Sequence, residues 1–211
     1  MSGRDPMEFG WWLASRASGI VALALVTLSV TVGLAMAGRV VRRPGLPRLL
    51  IAVHEHSALA GLIAIGVHGL TLLGDRWLDP GPVGIAVPFA MDYRPLWTGL
   101  GIVGGYLAAA LGLSFYVRDR IGHKRWRSLH KLTILVYVLG VAHAVGAGTD
   151  AREPWMVAQL VIGGVPVLWL FVMRVLRPSR PGPTGAASAA RRGSAPSPAP
   201  RSARSRPSRT A

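Results

Sequence analysis

Residues 49–73 read LLIAVHEHSALAGLIAIGVHGLTLL. Apart from Glu55 and three histidines, this stretch is apolar or small throughout. Crossing a hydrocarbon core of about 30 Å takes roughly 20 such residues in a helix. A soluble amphipathic helix would carry a polar stripe, and this segment has none. It therefore reads as a membrane span with ionisable groups inside it. Such groups are costly in a bilayer and mark function when they occur.

Four further segments have the same length and character: 17–37, 96–117, 129–147 and 154–175. The expected fold is all-α, a polytopic transmembrane bundle of about five helices. The first apolar run starts late and is long, so it reads as a span and not as a cleaved leader. Expected organisation is an N-terminal extracytoplasmic segment over 1–16, a helical membrane domain over 17–175, and a tail over 176–211. The tail is rich in Arg, Pro, Ser and Ala, a composition that builds no core, and it is expected to be disordered.

The net charge of +15 would suggest nucleic-acid binding in a soluble protein. Here the charge is concentrated in a few segments. Arg39, Arg42, Arg43 and Arg48 lie between the first two spans. Arg118, Arg120, Lys124, Arg125, Arg127 and Lys131 follow the third, and nine arginines occur from Arg174 onward. The alternate segments are neutral to acidic, with Asp5 and Glu8, then Asp75, Asp79 and Asp92, then Asp150 and Glu153. That alternation is the positive-inside pattern. It puts the N-terminus outside and the C-terminus in the cytoplasm of a multi-pass protein of the cell membrane. Lipid is the expected partner of the basic segments, and nucleic acid is not. The loop over 75–95, with the aromatics Trp77, Phe89, Tyr93 and Trp97, is expected to lie against the outer membrane surface.

There are no cysteines. This excludes disulfides, thiolate iron–sulfur ligation and covalent haem attachment through C-x-x-C-H. Of six histidines, His123 reads as a loop residue, while His54, His56 and His68 share the second span and His130 and His143 the fourth. His54 and His68 are 14 residues apart, about 21 Å along a helix and within about 40° of one face. His130 and His143 are 13 apart, about 19.5 Å. Both spans run in the same direction, so His54 is level with His130 and His68 with His143. Two imidazole pairs, one per leaflet, are what two haem irons need. On an ideal helix, however, His143 falls roughly 140° from His130. A local distortion such as a π-bulge, or entry at different angles, is therefore expected. His56 lies off the His68 face and is a candidate for a supporting or propionate contact. Arg48, Arg127 and Lys131 are candidates for the same contact, because propionates are anionic. Tyr137, midway between His130 and His143, reads as packing. Protons or metal ions bound by a non-enzymatic assembly or transport subunit are the alternative use of these histidines.

The spacings His54-x13-His68 and His130-x12-His143, with SFYVRDRIGHKRWRSLHKLT and AHAVGAGTD, resemble the ferric reductase-like transmembrane domain family, in particular its small actinobacterial members. That family includes the membrane parts of NADPH oxidases and ferric reductases and the haem subunit of methionine sulfoxide reductase systems. The resemblance implies two b haems, with His54 and His130 holding one iron and His68 and His143 the other. It implies an electron-transfer subunit of a transmembrane oxidoreductase. Its donor would be a separate flavoprotein reductase or quinone in the cytoplasm or membrane, and its acceptor an unidentified extracytoplasmic one. No FAD or NAD(P) site is expected in the chain. Gly99, Gly101 and Gly104 form a G-x-G-x-x-G, but it lies inside a span and follows no strand. Those glycines read as close helix packing, with Gly101 and Gly105 as the local pattern.

Overall fold

The computed structural model describes residues 6–38 and 45–176. The tail beyond Leu176 and the arginines 39, 42 and 43 lie outside the described residues. So does the question of whether the tail is ordered. Among the described residues there are eight α-helices and no strand: α1 Pro6–Ala37, α2 Leu46–Leu72, α3 Gly81–Ala86, α4 Pro95–Leu113, α5 Arg118–Ile121, α6 His123–His130, α7 Thr133–Ala147 and α8 Pro154–Leu176. A 3-10 turn, Ser114–Val117, joins α4 to α5. Five stretches are long and apolar enough to cross a membrane: Phe9–Ala37, Leu46–Leu72, Pro95–Ile121, His123–Ala147 and Pro154–Leu176. The protein is an all-α, multi-pass membrane protein, as the hydropathy pattern implies.

The outer surface of the bundle is apolar, and its interior holds polar as well as apolar side chains. Ser15, Ser29, Ser57 and Thr98 are buried, whereas Ile162 is 73% exposed and Leu70 65%. Lipid tails solvate apolar side chains as well as a protein interior does, so helices associate through close backbone approach and polar contacts. α1 is the central element, packed along α2 and also against α8 and α7, while α4 packs on α7 and α2. Small residues make each approach possible. Gly61 of α2 lies under Leu25 and Val26 of α1, and Gly104 of α4 under Leu139 of α7. Gly105 and Gly112 of α4 receive Ile65 and Leu62 of α2. Among the described residues α2 is not closely packed on α6 or α7. A gap between them is bridged by α1 on one side and α4 on the other.

Two features differ from the sequence expectation, and a third adds to it. First, α1 begins at Pro6, some ten residues before the expected start, and carries Trp11, Trp12 and Arg16 with it. A cation in the first turns breaks the apolar run, but Arg16 is compensated. Its guanidinium pairs with Asp150 in the α7–α8 loop and lies 4.0 Å over the Trp12 ring. The pair ties one end of α1 to the α7–α8 turn. Arg16→Ala, Asp150→Ala and the double replacement are each expected to cost about 1 kcal/mol. All three should lower the thermal denaturation midpoint in detergent by the same few degrees. A double variant twice as impaired as either single would contradict this pairing.

Second, the segment between the third and fourth spans is helical, not a loop. The basic residues of 118–131 lie on α5 and α6, or just past them, and only Gly122, at φ 89, separates the two helices. His123 therefore opens α6 instead of sitting in a loop. It is exposed, with Nε2 3.8 Å from Asp119. Third, the segment after α2 folds along the flank of α4. The Tyr106 hydroxyl of α4 donates to the carbonyl of Ala86 at 2.6 Å, and the Phe89 ring fills the space over Gly99. Phe89 holds a left-handed φ of 67 to reach it.

Candidate functional site

In a helix the carbonyl of residue i accepts the N–H of residue i+4, which leaves a second lone pair pointing outward. The Cβ of residue i+4 leans back toward the helix N-terminus and normally covers that lone pair. A glycine at i+4 uncovers it. The protein uses this arrangement three times. His68 Nδ1 lies 2.7 Å from the carbonyl of Ser15, and Gly19 is four residues on. His54 Nδ1 lies 2.9 Å from the carbonyl of Ser29, with Gly33 four residues on. His143 Nδ1 lies 2.9 Å from the carbonyl of Trp97, with Gly101 four residues on. A Cβ at Gly19 would stand 3.0 Å from His68 Nδ1, one at Gly33 would stand 3.2 Å from His54 Cε1, and one at Gly101 would collide with the His143 ring. A carbonyl only accepts, so Nδ1 of each ring carries the proton and donates. The Nε2 lone pair is then free as a ligand.

These rings meet in two pairs. His54 and His130 have ring centres 5.9 Å apart with planes at 85°. His68 and His143 have centres 6.1 Å apart with planes at 71°. A metal–imidazole nitrogen bond is about 2.0–2.1 Å and the ring centre lies roughly 1 Å beyond the nitrogen, so two imidazoles trans across one metal have centres about 6 Å apart. Both pairs fit that geometry. Among the described residues no three His, Asp or Glu side chains gather into a metal-ion cluster. Two imidazoles at this separation would fit a haem iron, whose remaining ligands the porphyrin would bring.

The angular mismatch on the fourth span is reduced by a break in the helix, not by a π-bulge. α6 ends at His130 and α7 begins at Thr133. Across the junction the backbone bonds run i to i+3, from Leu132 N to Leu129 O at 2.9 Å and from Leu135 N to Leu132 O at 2.9 Å. Each residue wound in 3-10 fashion turns roughly 20° more than in an α-helix. The extra turn carries His143 toward the face of His130.

His130 is the exception among the four ligand candidates. Its Nδ1 is buried and meets no hydrogen-bond partner among the described residues. The Trp126 ring stacks on it instead, with centres 4.9 Å apart and planes at 23°. His56 stands apart from both pairs. It is exposed, and its Nδ1 bonds to the carbonyl of Ala52 on its own helix at 2.7 Å. Arg48, Arg127 and Lys131 are exposed near the His54/His130 end. Tyr137 is buried, and its hydroxyl reaches Gly164 of α8, so the ring packs between α7 and α8.

Sequence reasoning did not single out Ser15, Gly19, Ser29, Gly33 or Trp126, and read Trp97 only as an interfacial aromatic. One signal was available. Gly19 and Gly33 are separated by 14 residues, as are His54 and His68. Antiparallel neighbours in that register place each glycine opposite one histidine. On α4, Gly99 admits Phe89, Gly101 admits His143 and Gly104 admits Leu139. All three serve packing inside a span. Trp97 also sets its ring on Gly146, so one residue offers α7 both a carbonyl and a packing surface.

Residues 18–141 match the family described as Ferric reductase like transmembrane component. The match includes His54, His68 and His130 and stops two residues short of His143. No curated protein and no solved structure matches the chain. With the matched region covering more than half of the sequence, the chain belongs to the ferric reductase-like transmembrane family, as a multi-pass membrane component of the electron-transfer type.

Proposed function

We propose that the protein is a di-haem b-type cytochrome that carries electrons across the membrane, from a cytoplasmic flavoprotein or a quinone to an extracytoplasmic acceptor. The observation that carries this reading is the double pairing. Two imidazole couples at metal-bridging separation stand about 21 Å apart along α2. Haem b held at each couple supplies an iron that takes up and returns one electron.

The chain's own residues bind, orient and insulate. His54 and His130 hold one group, and His68 and His143 the other. The carbonyls of Ser15, Ser29 and Trp97 fix ring tautomer and direction, and an acceptor on Nδ1–H strengthens the ligand. α1 and α4 wall the gap between α2 and α7. The positive-inside pattern puts the His54/His130 pair on the cytoplasmic side and the His68/His143 pair on the outer side. Arg48, Arg127 and Lys131 then favour anionic propionates at the inner pair.

The purified protein is expected to give a b-type reduced-minus-oxidised spectrum. In vesicles it should re-oxidise through an impermeant acceptor on the side opposite the reductant. Absence of b-type bands after expression with adequate haem supply would overturn the reading. Chelator- or pH-dependent transport without haem would support the proton or metal-ion alternative instead.

A further inference from the structure

The two pairs are not equivalent, and the difference lies in how each imidazole is held. Three of the four rings give Nδ1–H to a backbone carbonyl, and His130 gives it to no group among the described residues. The ring is nevertheless not loose. Trp126, one turn earlier on α6, lies nearly parallel to it. Trp126 is itself fixed: its indole N–H donates to Ser114 Oγ at 3.1 Å, and Ser114 Oγ donates to the carbonyl of Leu111 at 2.6 Å. Phe115 meets the same indole edge-on at 6.1 Å. Stacking sets the plane of an imidazole, but it adds no acceptor to polarise Nδ1–H.

We propose that Trp126, anchored on Ser114, is the positioning residue for His130, and that the His54/His130 iron is consequently the higher-potential of the two. This rests on the haem reading above. An axial imidazole whose Nδ1–H is accepted donates more electron density and stabilises the more highly charged oxidised iron. The His68/His143 pair has two such rings and the His54/His130 pair has one. Surrounding charge acts in the same direction. The residues of 118–131 give the His130 end a net positive charge even with Asp119 among them, while at the other end Asp150 is matched by Arg16.

The test is a spectroelectrochemical titration of the full-length protein, with low-spin electron paramagnetic resonance on the same samples. His68→Ala and His130→Ala assign the components. The component lost in His130→Ala is expected to be the more readily reduced. Its oxidised-to-reduced ratio at a given ambient potential should differ at least tenfold from the other's, about 59 mV for a one-electron couple. Trp126→Leu is expected to shift the midpoint and the resonance of that component alone. Trp126→Phe, which keeps the stack, should restore most of the resonance, and Ser114→Ala should give a smaller shift of the same sign. If both haems bind but the His130 component is the lower or equal one, the inference is overturned while the haem reading stands. The same holds if Trp126→Leu moves both components or neither. Absence of haem in the wild type overturns both.

Discussion

Replacing His143 with alanine is expected to remove one of two haems and leave the other's spectrum unchanged. The expectation follows from the pairing. His143 faces only His68 across its gap, with centres 6.1 Å apart, while the His54/His130 couple lies at the far end of α2. A low-spin iron held by two imidazoles loses half of its protein ligation when one is removed, whereas loss of a merely supporting contact typically costs 10–100-fold in affinity. His68→Ala should therefore lose the same haem as His143→Ala, and the double variant should lose no more than either single. His54→Ala and His130→Ala should lose the complementary one. Haem content per chain, with electron paramagnetic resonance to identify the survivor, distinguishes the cases. Loss of both haems in all four variants would mean that the pairing is wrong or that the bundle needs every ligand to fold.

The second large effect is steric. A methyl group at Gly101 would occupy the space of the His143 imidazole and shield the Trp97 carbonyl that orients it. Gly101→Ala is expected to empty the His68/His143 site nearly as completely as His143→Ala, although it touches no ligand atom of the iron. Two nearby controls separate this from general damage to α4. Gly99→Ala collides equally hard, but with Phe89, so it should lower stability and keep both haems. At Gly105 a Cβ would lie 3.5 Å from Ile65, an ordinary contact, and Gly105→Ala should change nothing measurable. Gly19→Ala and Gly33→Ala, with approaches of 3.0 and 3.2 Å to His68 and His54, should be intermediate, because those rings need shift by only tenths of an ångström. If Gly101→Ala retains the full haem complement, the carbonyl-and-glycine cradle does not position the ligand.

The spans and the histidine levels were legible in the sequence because both depend on local quantities. Hydropathy over about 20 residues identifies a span, and a rise of 1.5 Å per residue sets a level. Contacts that depend on which helices become neighbours were not legible. The carbonyl of Trp97 can be matched with His143 only once α4 is known to lie against α7. Arg16 is instructive: the first span was expected from residue 17, whereas the helix runs on through Arg16, which Asp150 and Trp12 compensate from 134 and four residues away. The distortion on the fourth span was expected from the angle between His130 and His143, and its form was not. Whether the chain makes a π-bulge or a 3-10 junction at residues 131–132 depends on the packing of α6 and α7, and nothing in the residues LHKLT announces it.

The central claim is that this chain holds two haems on two histidine pairs. Haem b per polypeptide, measured by pyridine haemochrome against amino-acid analysis on protein purified with adequate haem supply, tests it most directly. Two per chain in the wild type, falling to one in each of the four histidine variants, is the expected result. A wild-type value of one or zero, or an unchanged value in any of the four variants, would contradict it.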